Sequence, residues 1–119
     1  METDKELTAL AAKAAGLTVE WSESWGCFQR DARPVSPGYS EWLLWRPLSD
    51  DGDALRLAVK LGLEVYEGSS DGTAQAWVGW FAPNKRTRYL CEPHGSDPYA
   101  AARRAIVRAA AEVAKANNS

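Results

Sequence analysis

The chain has one histidine, one methionine, two cysteines and two phenylalanines among 119 residues, and each scarcity excludes something. Cys27 and Cys91 are neither in Cys-x-x-Cys spacing nor part of a dense disulfide framework, so they read as independent, half-buried thiols. A zinc site would have to bring ligands to His94 from distant parts of the sequence, and no metal or cofactor is expected. No apolar run approaches the length of a membrane span. The opening Met1-Glu2-Thr3-Asp4-Lys5-Glu6 is acidic, unlike the basic start of a secretory signal. A cytoplasmic protein without membrane contact is expected. Positive charge is not in excess either: the net charge is −2. Residues 1–60 carry seven Lys/Arg against ten Asp/Glu, and the remainder seven against six. Nucleic-acid binding driven by the charge of the whole chain is therefore excluded, and only a local basic patch remains as a possibility.

The apolar fraction of 45% and charged fraction of 25% are those of a globular protein, large enough to bury a core without staples. A single domain over 1–119 is expected, with short flexible ends at 1–3 and 117–119. Leu7, Leu10, Ala11 and Ala14 recur at helical spacing and predict a first helix over 4–15, capped by Thr3 or Asp4 and stopped by Gly16. Ser49 to Asp53 offers caps and a negative first turn for a second helix, which Gly62-Leu63 closes as Gly16-Leu17 closes the first. Asp97 followed by Pro98 starts a third helix, whose buried stripe is expected to be Tyr99, Ala102, Ile106, Ala109, Ala110 and Val113.

Between the helices, 18–21 and 26–30 predict a hairpin, and 41–46 a further short strand. Asp31 to Ser40, with Pro34 and Pro37, reads as a loop because proline removes ladder donors. Three more strands are expected over 64–67, 75–81 and 87–91. The central one is apolar on both sides, with Trp77 and Phe81 on one and Ala76, Val78 and Trp80 on the other, which suggests a sheet covered on both faces. The expected class is α+β: a three-layer α/β/α sandwich with three helices and a mixed or mainly antiparallel sheet of about four to six strands.

Several motifs reduce to local structure. Gly68-Ser69-Ser70-Asp71-Gly72 spells a nucleophile elbow, but a strand rather than a helix follows it, so hairpin-loop chemistry explains it. Asp50, Asp51 and Asp53 lack the spacing and terminal glutamate of a calcium loop and read as helix capping. His94 has a pKa suited to acid–base work but no partner named by the sequence; it carries the expectation of a small enzyme, behind two binding readings. Six tryptophans are many for this length. Tyr39, Trp42 and Trp45 flank the proline-rich stretch: core or rim packing accounts for them first, and, where they stay partly exposed, they are candidate anchors for a protein partner. The alternative site is basic: Lys85, Arg86 and Arg88 on a hairpin with Arg103, Arg104 and Arg108 on the last helix, placed to hold nucleic-acid phosphates if they converge.

The run from Trp45-Arg46-Pro47-Leu48-Ser49-Asp50 through Leu61-Gly62-Leu63, with Asp97-Pro98 leading into Ala101-Ala102-Arg103-Arg104-Ala105-Ile106, resembles small phage and prophage proteins of the phage ABA-sandwich domain family. The resemblance implies a three-layer fold encoded by a temperate phage or prophage. It also implies an accessory protein of the bacterial cytoplasm that interferes with host functions, defence systems included. No catalytic mechanism or ligand set comes with it. The expected function is thus a non-enzymatic accessory protein that binds a host or phage macromolecule.

Overall fold

A computed structural model describes residues 2–36, 39–70, 72–82 and 86–117, with the side chains at 31–36, 39–42 and 70 outside the description. The elements are α1 (Asp4–Ala15), β1 (Val19–Ser22), β2 (Cys27–Ser36), β3 (Tyr39–Trp45), α2 (Asp51–Leu61), β4 (Glu64–Ser70), β5 (Thr73–Phe81), β6 (Thr87–Pro93) and α3 (Pro98–Asn117). The fold is α+β, with antiparallel strand pairs. The six strands divide between two three-stranded sheets, β1-β2-β3 and β4-β5-β6, so the layering follows the three-layer expectation only loosely.

The helix ends obey the local chemistry. Thr3 Oγ1 accepts from the Glu6 N–H at 3.1 Å while the Glu6 carboxylate reaches back to Thr3, a reciprocal capping box. Ahead of this cap, Glu2 pairs with Lys115 of α3. Gly16 and Gly62 both sit in the left-handed region, at φ +72° and +66°. The N–H of the following leucine returns to the helix in each case: Leu17 to the Ala12 carbonyl and Leu63 to that of Ala58, both at 2.9 Å. Asp97 Oδ1 accepts from the Tyr99 and Ala100 N–H groups at the start of α3.

The proline-rich loop expected over 31–40 is largely strand. β2 continues through Pro34 to Ser36, and β3 resumes at Tyr39. The ladder absorbs the proline by shifting register on either side of Pro34, whose partner is Ser40. Residues 37–38 lie outside the described residues.

α3 is the centre of the molecule. It packs on β5 and β6 on one side and on α1 and α2 on the other. Ala101, Ala105, Ile106, Val107, Ala109, Ala110, Ala111 and Ala114 are all buried, so the apolar surface runs around the helix instead of forming one stripe. Tyr99, expected in that stripe, is exposed. The first sheet joins this core through Phe28 and Trp45, with Val19 and Trp21 packed against them.

Candidate functional site

Cross-strand partners share a face of a sheet, so the register of β4-β5-β6 sorts its side chains into two sets. Ala76, Val78 and Trp80 of β5 are buried, and Leu90 pairs with Val78 on β6. That set meets α3. The other face stays open. Tyr66 pairs with Trp77, Gly79 with Tyr89 and Phe81 with Thr87, and this face exposes Tyr66 at 42%, Tyr89 at 54% and Phe81 at 74%. The expectation of a sheet covered on both sides is thus corrected: α3 covers one face, and aromatic rings line the other. A strand apolar on both faces has two explanations, a second buried layer or a contact surface, and periodicity cannot choose between them.

The rings are held in place. The Tyr66 and Trp77 rings are nearly parallel, with centroids 6.3 Å apart and planes 8° apart. Tyr89 lies across Gly79, where a Cβ would come within 2.9 Å of Tyr89 Cε1. Trp77 lies beside Gly68, where a Cβ would meet its Nε1 at 3.3 Å. Two glycines therefore provide the beds on which two aromatic rings lie flat, an arrangement used to stiffen glycine-containing sheets. Burial, with Tyr89 and Glu64 nearby, holds the Tyr66 phenol above its usual range. Glu64 pairs with Gly79 on this face, whereas Arg88 pairs with Trp80 on the opposite one. The aromatic face therefore lacks the contribution Arg88 would make to phosphate binding.

The residues singled out from the sequence fall elsewhere. Trp45 is 3% exposed and belongs to the core cluster. Its role as an exposed anchor is corrected, because the end of β3 turns inward onto the helices. The backbones of Tyr39 and Trp42 lie in β3, but their side chains are outside the described residues. Lys85 is also outside them. Arg86 lies just before β6 and, like Arg88, is exposed.

The three arginines of α3 do not form a free cationic face. Arg103 donates to Asp51 at 2.6 Å and to the Leu48 carbonyl at 2.9 Å. Arg104 donates to both carboxylate oxygens of Asp4, and Arg108 donates to Glu92 at 2.6 Å. Each guanidinium ties α3 to a different neighbour.

The acidic cluster is equally committed. Asp50 accepts from the Asp53 N–H, Asp53 accepts from the Arg46 N–H and from Arg56, and Asp51 takes Arg103. Among the described residues no group of three or more His, Cys, Asp or Glu is placed to hold a metal. Cys27 and Cys91 are free and half-buried.

His94 has a partner that the sequence could not name: its Nε2 lies 2.8 Å from Glu67 Oε2. Its N–H also bonds the Ala74 carbonyl, which places it at the end of β4-β5 beside Ser69, the register partner of Ala74. Among the described residues no serine hydroxyl is hydrogen-bonded to the imidazole; the Ser70 side chain and Asp71 lie outside them. Ser69 and Ser70 continue β4, and β5 follows, the strand context expected of an ordinary hairpin. No family model, curated protein or solved structure matches the chain.

Proposed function

We propose that the chain is a non-enzymatic binding protein that docks a protein partner on the open aromatic face of β4-β5-β6. The observation that carries this reading is the set of Tyr66, Tyr89 and Phe81, exposed at 42%, 54% and 74% on the sheet face opposite α3. Aromatic rings held on a rigid sheet bring large contact area at little cost in side-chain entropy. A contiguous patch of such rings is what monomeric surfaces ordinarily avoid. The three α3 arginines that a nucleic acid would need are engaged within the chain, which favours a protein partner. The family resemblance supports a phage or prophage accessory protein acting in the cytoplasm of its bacterial host, with host interference as its purpose.

The test uses the variant Phe81→Glu in an affinity capture from bacterial lysate, run with and without nuclease. Phe81 is exposed at 74% and takes no part in the glycine beds, so the variant is expected to keep its thermal midpoint while losing a protein that the wild type retains. Equal retention by both forms, or loss of the captured species on nuclease treatment, would refute the reading.

A further inference from the structure

A cavity of about 210 Å3 opens between the start of α1, the β1-β2 hairpin and the turn from β3 into α2. It is separate from the aromatic sheet face. Its walls are aromatic: Trp21 and Phe28 meet edge to face at 5.1 Å, the core residue Trp45 contributes its inner side, and Trp25 stands at the mouth, 67% exposed. The turn that presents Trp25 is fixed. Ser22 Oγ accepts its N–H at 3.2 Å, and the Ser22 carbonyl accepts from Gly26, which takes a left-handed φ of +64°.

The rim is cationic. Lys5 lies with its Nζ 4.3 Å from the Trp21 ring centroid, so the ammonium is held beside the opening. Arg46 is exposed and also lines the cavity, and the nearby carboxylates of Asp50 and Asp53 face Arg56 instead. The lining includes one carboxylate, Asp4, and both of its oxygens are taken by Arg104. The charge left for a ligand is therefore positive.

From this geometry we infer that the cavity binds an aromatic carboxylate: one flat ring system seated among the indoles, with an anionic group at the rim toward Lys5 and Arg46. The volume decides the size class. Pockets for drug-sized ligands run from about 300 to 1,000 Å3, so this one takes a single ring system and its substituent. The stacking walls select a planar apolar body, and Lys5 and Arg46 select the sign of the substituent.

The test is a titration of the 15N-labelled full chain, followed by amide chemical shifts, with indole-3-acetate, 3-methylindole and tryptamine. These share a ring and differ in charge. Indole-3-acetate is expected to give saturable shifts at Lys5, Thr8, Gly26, Cys27 and Ser49. 3-Methylindole should bind about tenfold more weakly, the change expected for two partly exposed charge contacts, and tryptamine more weakly still. The double variant Lys5→Gln, Arg46→Gln should abolish the preference for the acid while keeping the affinity for 3-methylindole, which shows the cavity intact. Absence of shifts around the cavity up to the solubility limit of indole-3-acetate would overturn the inference. So would equal binding of the three probes, or an acid preference that survives the double variant.

Discussion

Trp45 and Trp25 show how differently one residue type can be used. Trp45 is 3% exposed within the core cluster, whereas Trp25 stands on a turn at 67%. Truncating a buried tryptophan loses its transfer energy and leaves a cavity, so Trp45→Ala is expected to cost about 3–5 kcal/mol of unfolding free energy. Trp25→Ala should stay within about 0.5 kcal/mol. Urea denaturation of both variants checks the contrast, and a near-neutral Trp45→Ala would restore that residue as a surface anchor. The sequence supplied the six tryptophans but not this division. Burial depends on where the end of β3 meets α1 and α2, which no local pattern states. His94 makes the same point, because its partner Glu67 lies 27 positions away and is brought within reach by strand register.

At the scale of elements, the legible features were those whose chemistry is local. Gly16 and Gly62 terminate α1 and α2 through left-handed caps, and Asp97 starts α3 with its own carboxylate; both follow from residues within one helical turn. Proline misled at β2. Register shifts beside Pro34 let the strand continue, and a bulge is a property of the pair of strands rather than of either one. The open face of β4-β5-β6 was legible only as an excess of apolar residues on β5. Its chemistry is tested by alkaline titration. Burial, with Tyr89 and Glu64 nearby, raises the Tyr66 pKa, so the phenol should ionise above the ordinary tyrosine value of about 10. The sign follows from linkage. Unfolded chains release this proton first, so the associated stability is fully present below about pH 10 and is lost as pH rises through the folded value. Difference absorbance between wild type and Tyr66→Phe should place the missing titration on the alkaline side. The variant should also lose less stability than wild type between neutral and alkaline pH, and a Tyr66 step at or below the ordinary value would contradict the assignment.

Across the whole molecule, α3 is the member against which α1, α2 and the second sheet all pack, and its arginines serve as braces. Arg103 reaches Asp51 at the start of α2 and the Leu48 carbonyl before it, Arg104 reaches Asp4 at the start of α1, and Arg108 reaches Glu92 of β6. Two of the carboxylates lie in the first turns of α1 and α2, so the acids read as capping charges also anchor the central helix. The basic stripe was legible in the sequence, but the acids that neutralise it were not: Arg103 and Asp51 are 52 positions apart, Arg104 and Asp4 100. The bracing reading and the phosphate-binding reading make opposite predictions for the same substitutions. As braces, the arginines should contribute unequally. Arg103→Ala loses a carbonyl bond together with a pair in which the arginine side chain is only 16% exposed, and should cost about 1–2 kcal/mol. Arg104→Ala breaks a pair exposed on both sides and should cost under about 1 kcal/mol. The triple variant should then be clearly less stable in urea, and wild-type binding to DNA or RNA in a filter assay should lack the steep fall with salt that phosphate contacts produce. A triple variant of unchanged stability, with a wild type whose nucleic-acid affinity drops steeply with salt, would instead make the stripe a binding face and α3 an ordinary surface helix.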